Sequence, residues 1–352
     1  EFYYNIEEPD PDDERVPVLL ENNSIVTPVE AVTGMYSLPG RHDIDPTAIL
    51  APFYFLFFGL MLSDAAYGLI LTTLCAIILK KYKPEGTTHR MIKMFMFCGL
   101  STFMWGALFG GWFGNFFTVA AKTFFGKEFV IKPLWFDPLS EPMKLLVVSL
   151  ILGAIHLFVG MGVQAYMDIK DGRPLDALFD IGLWYLLLIG IVLFAFGGKL
   201  GAGAVGIGKV MAIIGAVGIL LTGGRKKKGI FGKLTGGLGS LYGITSYLSD
   251  VLSYSRLLAL GLATGVVAQV FNTLGSLAGG GIAGSVLLIV VFAFGTVFNI
   301  AINALGAFVH SCRLQYVEFF GKFYTGGGRP FAPFERKTKY IKILKEGNDN
   351  VK

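Results

Sequence analysis

Arg256 and Arg313 are the residues of this sequence whose setting implies chemistry. Arg256 stands in Tyr254-Ser255-Arg256-Leu257-Leu258-Ala259-Leu260, and apolar sequence runs on past Val270. A guanidinium stays protonated under all relevant conditions, so it is a fixed cation rather than an acid or base. Such a cation favours the ionised form of a nearby carboxylate. It also repels a mobile cation. Inside a membrane span it costs from about 3 to well over 10 kcal/mol, so it must face water, protein or a counter-charge. Snorkelling to an interface is the ordinary alternative. The apolar stretch begins at Gly236 and runs to Gly275, so both ends are far from Arg256.

Arg313 belongs to a polar row. Asn299, Asn303, Gly306, His310 and Arg313 recur at steps of four, three, four and three, which puts them on one helical face. The row either bonds its neighbours or lines an aqueous path, and the second arginine favours the path. Glu318 and Lys322 follow at four-residue spacing and are expected to form an ion pair near the cytoplasmic end. Asp250 lies off the Arg256 face and is expected to pair or to stand at a channel mouth. Asp64 is ionisable in an apolar segment, which points to function. His156, alone in its helix, reads as a satisfied buried histidine. The expected ion-translocating pair is thus Arg256 and Arg313. Asp64, Asp250, Asn299, Asn303, His310 and Glu318 are half-channel candidates.

Other chemistries lack support. Gly201, Gly203 and Gly206 fit a dinucleotide fingerprint. Gly203, Gly208 and Lys209 approach a phosphate-binding loop, but Val210 stands where Ser or Thr is needed. Neither follows a strand, so both are rejected. No catalytic site, cofactor or metal is expected. Cys75, Cys98 and Cys312 lie in or beside apolar segments and read as free, buried thiols.

The elements that position these residues must cross a membrane. Of 352 residues, 53% are apolar and 16% charged, with mean hydropathy +0.61. A soluble domain would carry about a quarter charged residues. The net charge of +5 gathers between apolar runs, which signals topology rather than nucleic-acid binding. Apolar stretches cover about 48–80, 92–118, 143–167, 175–197, 205–222, 236–275 and 283–324. Lipid offers no partners to open backbone groups, so these are helices. Lysine and arginine mark the loops 80–93 and 222–235 and the tail after 324 as cytoplasmic. The first stretch breaks at Ser63-Asp64. It is either a hairpin with Asp64 near its outer tip or one long helix with an external N-terminus. The hairpin gives an all-α membrane protein of about eight transmembrane helices. The last two are too long: 40 residues reach about 60 Å, against a hydrocarbon core of about 30 Å. They must tilt strongly, bend or project. Gly261 and Gly265 have the spacing of close helix packing. Residues 1–48, acidic and rich in proline, read as a linker from a preceding domain; 49–324 form the translocating domain and 325–352 a basic tail.

Four motifs carry a resemblance. They are Ile44-Asp45-Pro46-Thr47, Phe57-Phe58-Gly59-Leu60-Met61-Leu62-Ser63-Asp64-Ala65-Ala66-Tyr67-Gly68, Ser253-Tyr254-Ser255-Arg256-Leu257-Leu258-Ala259-Leu260 and His310-Ser311-Cys312-Arg313-Leu314-Gln315-Tyr316-Val317-Glu318-Phe319-Phe320. In this order they resemble the membrane domain of the a (or I) subunit of V-type and A-type rotary ATPases. The resemblance implies eight membrane helices, both ends cytoplasmic, and a stalk-binding domain before Glu1. It implies a proteolipid c/K ring whose essential carboxylate faces Arg256, with Arg313 supporting the site and Asp64 near the outer half-channel. Peripheral-stalk and central-stalk-associated subunits and the lipid bilayer are the other implied partners. The function implied is that of a stator subunit, non-catalytic in itself. The alternative is a stand-alone secondary ion transporter or channel, but no internal repeat or acidic cluster supports it. Eukaryotic members carry a histidine eight residues after the first arginine, where this chain has Thr264. They carry a glutamate ten residues before the second, where it has Asn303. The resemblance is therefore to the bacterial and archaeal branch, which implies a prokaryotic plasma membrane and no relay through those two groups.

Overall fold

The computed structural model describes residues 16–40, 43–126, 130–199, 201–225, 230–277 and 281–332. Almost all of the structure is helical. A short helix, α1 (Glu30–Tyr36), precedes α2 (Thr47–Leu62) and α3 (Ala65–Tyr82). Ser63 ends α2 with φ 32°, in the left-handed region. Asp64 then caps α3, its Oδ1 accepting from the amides of Ala66 (3.0 Å) and Tyr67 (3.2 Å). Both helices pack on α4 (Gly86–Phe109), in opposite senses. Along α2, Phe55 meets Phe97 and Gly59 meets Ser101, so α2 and α4 run the same way. Along α3, Ala65 meets Gly106 and Thr72 meets Gly99, so α3 runs against α4. The first apolar stretch is therefore a hairpin with Asp64 at its tip, not one long helix.

The second stretch divides where a single span was expected. Gly110, Phe113 and Gly114, at φ 73°, 54° and 63°, turn the chain between α4 and α5 (Phe116–Phe125). Next come α6 (Pro142–Lys170), the single turn α7 (Pro174–Asp176), a π-helical turn (Ala177–Gly182), α8 (Leu183–Phe196) and α9 (Ala202–Thr222). Glycines let α8 and α9 touch backbone to backbone: Gly190 faces Ala212, and Gly208 faces Leu193 and Phe194. Gly208, part of the rejected phosphate-loop match, is thus a packing residue.

The penultimate long stretch, Thr235–Ser276, has 42 residues and breaks at Gly243 and Tyr254. Its parts are α10 (Ile230–Tyr242), α11 (Ile244–Ser253) and α12 (Ser255–Ser276). The last, Gly284–Phe323, has 40 residues. It runs as α13 (Ile282–Arg313), loosens into a π-helical turn (Leu314–Phe319) and closes as α14 (Phe320–Phe323). Seven described helices are long and apolar enough to cross a membrane, and the shorter apolar α2 makes the eighth element of the expected set.

The main core joins α2, α4, α6, α12 and the last helix through Tyr54, Phe57, Met94, Leu145, Leu157, Tyr254, Leu257 and Phe319. A second cluster, with Met161, Ile181, Trp184, Leu187 and Ile219, ties α8 and α9 to α6. Cys75, Cys98 and Cys312 are free and buried.

At the end of the bundle opposite Asp64, residues 17–40 and 43–45 fold onto the end of the last helix. β1 (Pro17–Val18) pairs in parallel with β2 (Arg329–Pro330). Tyr316 and Tyr324 donate to the carbonyls of Val32 (2.6 Å) and Ser37 (2.8 Å). Arg90 reaches Glu30 at 3.1 Å. The tail lysines and arginines from Arg336 on, and Lys226, Lys227 and Lys228, lie outside the described residues.

Candidate functional site

Arg256 occupies the first turn of α12, directly after the break at Tyr254. It is half-buried, and its Nη1 is buried without a hydrogen-bond partner. It makes no ion pair among the described residues. The charges acting on it are Arg313 and Glu318, both from the last helix. His310 feels both arginines, and its Nδ1 is also buried without a partner. Arg313, the last residue of α13, is exposed. The two arginines thus belong to one electrostatic cluster, although 57 positions, from 256 to 313, separate them in the chain.

Glu318 corrects an expectation. It was expected to pair with Lys322, but Lys322 bonds Asp250 on α11 and lies 4.2 Å from the Tyr247 ring centre. Glu318 sits in the π-helical turn, where hydrogen bonds run to the fifth residue. The four-residue spacing that aligns side chains on an α-helix then fails. Glu318 is buried, and its Oε2 has no partner. Asp250 is a pairing residue, and its partner comes from the other long helix.

Beyond Arg256 along α12, a second polar set gathers around Asp64. Its Oδ2 accepts the Gly114 amide at 3.0 Å. A cavity of about 220 Å³ opens here, lined by Ser63, Asp64, Trp112, Asn115, Asp137, Gly261, Gly265 and Gln269 among others. Gly261 lies against the Leu60 carbonyl and Gly265 against Leu139, so both α12 glycines serve close contacts.

The polar row on α13 divides at its middle. Asn299 is buried and donates to Tyr67 Oη (3.0 Å) and to the Thr264 carbonyl (3.1 Å). Asn303 donates to the Asn299 carbonyl at 3.1 Å and also contacts its side-chain oxygen. These two asparagines bond neighbours within the bundle. His310 and Arg313 form the open end of the row, beside Arg256. Thr264 donates to the Met61 and Leu260 carbonyls, at 3.3 and 3.2 Å.

Three further residues lie near the arginines. Tyr254 is fully buried, and its hydroxyl shares a hydrogen bond of 2.8 Å with His156 Nδ1. Gln315 is buried beside the His156 ring, and neither its amide atoms nor His156 Nε2 completes a well-formed hydrogen bond. His156 was expected to be satisfied; only one of its two nitrogens is.

A permanent, incompletely solvated cation stands between two polar regions. One holds Asp64 and a cavity. The other holds Glu318, Gln315 and the Asp250–Lys322 pair. Among the described residues no group of metal-ligating side chains occurs.

Comparison with known proteins agrees with the motifs. Residues 244–336, from α11 through the last helix, match the V-type ATPase 116kDa subunit family. The A-type ATP synthase subunit I of Methanocaldococcus jannaschii is 36% identical over 369 residues, covering 96% of this chain and 52% of the relative. That of Thermococcus kodakarensis is 37% identical over 350 residues, covering 97% of this chain and 51% of the relative. The V-type ATP synthase subunit I of Chlamydia trachomatis is 24% identical over 393 residues, covering 95% and 58%. The chain thus spans about half the length of the curated relatives it matches. With motifs, helices and identity over nearly its whole length in agreement, the chain belongs to the V-type ATPase 116kDa subunit family, together with the subunits I of A-type and V-type ATP synthases.

Proposed function

We propose that this chain is the membrane part of the stator subunit of a rotary A/V-type ATPase. The carrying observation is Arg256: half-buried, unpaired, and placed between two polar regions. A carboxylate on a rotating proteolipid ring must be neutral while it faces lipid, by protonation or a bound cation, because a bare buried charge is too costly. On reaching Arg256 it is favoured in the ionised form and gives up its ion. One half-channel takes that ion away and the other reloads the carboxylate. The Asp64 cavity suits the outer half-channel. The Glu318 region, with Asp250 and Lys322 at its mouth, suits the inner one. His310 and Arg313 extend the cationic barrier between them, and Asn299 and Asn303 brace the outer side. The two long helices would lie tilted along the ring, with both chain ends cytoplasmic in a prokaryotic plasma membrane. Peripheral-stalk and central-stalk-associated subunits complete the assembly.

The test is Arg256→Ala in the assembled complex. Coupled ion transport is expected to vanish while the complex still assembles. Arg256→Lys keeps a charge but loses the planar fork, and is expected to be severely impaired. Wild-type transport by Arg256→Ala would overturn the proposal. The rival reading, a stand-alone transporter, gains support if the purified protein moves ions in liposomes without a ring.

A further inference from the structure

We propose that His156 is a positioning residue that sets Arg256 against Arg313 and Glu318. This rests on the stator reading above. His156 lies on α6, which carries none of the ion-path candidates. It nevertheless touches both arginine-bearing helices. On one side its Nδ1 meets the Tyr254 hydroxyl at 2.8 Å. Tyr254 is the break between α11 and α12, two residues before Arg256. On the other side its ring stacks on Phe319, with centres 4.4 Å apart and planes 12° from parallel. Phe319 closes the π-helical turn that follows Arg313 and contains Glu318.

The surroundings leave this contact little freedom. His156 is fully buried and Tyr254 is 0% exposed. A Cβ at Gly153 would overlap the Tyr254 ring, and one at Gly160 would come within 3.0 Å of Phe319. Helix α6 therefore presses close to both partners, with the imidazole between them. At Tyr254 the helix tightens to bonds of three-residue step (Tyr254 N–H to the Val251 carbonyl, 3.1 Å; Leu257 N–H to the Tyr254 carbonyl, 3.0 Å), and such a joint can bend unless something fixes its angle. A buried hydroxyl with a single partner supplies that fixing, because losing the partner leaves it unsatisfied. The strut acts through another residue, by holding the guanidinium where a ring carboxylate would pass. Small misplacements of a reacting group have large effects on rate.

The test compares variants in the full-length protein within the assembled complex, reading ions moved per ATP turned over. His156→Phe keeps the stacking on Phe319 and removes the bond. Tyr254→Phe deletes one oxygen and is the variant least able to disturb folding. Each is expected to lower coupling about tenfold, and the double variant to be no worse than either single, since both remove one bond. The conservative replacements distinguish the two nitrogens. His156→Asn places a polar atom where Nδ1 lies, and His156→Gln where Nε2 lies. Rescue by Asn over Gln is expected; a merely structural role would move assembly and stability instead, alike for both. Wild-type coupling in His156→Phe and Tyr254→Phe, or rescue by Gln over Asn, overturns the inference. Arg256→Ala is measured alongside. If it too couples normally, the stator reading has failed; if it alone is inactive, only the strut has.

Discussion

Asp64 uses both carboxylate oxygens on backbone amides: Oδ1 on Ala66 and Tyr67, Oδ2 on Gly114. It is therefore a structural cap as well as a half-channel candidate, and substitutions can separate the two roles. Asp64→Ala leaves three amide donors without this acceptor and is expected to lower stability by about 2 kcal/mol. Asp64→Asn retains the Oδ1 cap and should lose less than half of that. Thermal unfolding in detergent reads the difference. If Asp64 also handles ions in the outer path, Asn will lose transport far beyond its loss of stability. A carboxylate in apolar sequence was visible from composition alone. Its tie to Gly114 was not, because nothing local links positions 64 and 114. The same holds for Glu318. Its approach to Arg256 depends on a π-helical turn, and four-residue spacing pointed to Lys322 instead.

At the scale of elements, run length and loop charge made the spans legible, and Ser63-Asp64 marked the hairpin. The division of α4 from α5 was overlooked: Gly110-Gly111 and Gly114-Asn115 are turn signals, but Trp112 and Phe113 between them keep the run apolar. Glycines show most clearly which contacts the helices need. A Cβ at Gly106 would overlap the Ala65 amide at the hairpin tip. Gly106→Ala must push α3 from α4, and a cost of about 3 kcal/mol is expected, at the upper end for overpacking. Gly206, in α9, has nothing within 4 Å of an added Cβ. Gly206→Ala should raise stability by about 0.5–1 kcal/mol through helix propensity. Measured side by side by thermal unfolding, the two alanines should shift in opposite directions. A loss at Gly206 would show that its face is covered by something beyond this chain.

Across the whole molecule, the N-terminal segment and the end of the last helix form one clip. Its residues lie nearly the length of the chain apart, so no local pattern could announce it; prolines and acidic residues suggested only an extended linker. Asp43 accepts from the Gly40 amide (3.2 Å), the Thr325 hydroxyl (3.1 Å) and the Gly326 amide (3.0 Å). Tyr324 donates to the Ser37 carbonyl, and the Gly327 amide donates to Ser37 Oγ at 2.8 Å. Under the stator reading, this clip passes force between whatever precedes residue 17 and the helix that carries Arg313. Asp43→Ala removes three of its bonds at once and is expected to weaken it by about 1–3 kcal/mol. Hydrogen exchange should then quicken at residues 17–40 and 324–331, while α2, α4 and α6 keep their protection. A pH effect has the matching sign. Burial, then the charges of Asp43 and Asp45, push the Tyr324 hydroxyl above its ordinary 10.0. The folded clip therefore holds that proton more tightly than a loosened one. Its contribution is whole below pH 10.0 and falls as pH rises from there, so the protection of residues 17–40, taken relative to the base-catalysed exchange of an open chain at the same pH, should fall on the alkaline side. Tyr324→Phe should remove this alkaline dependence while loosening the clip only modestly at neutral pH. Unchanged exchange in Asp43→Ala would mean that each segment is held by its own helix, and force would then have to enter the bundle elsewhere.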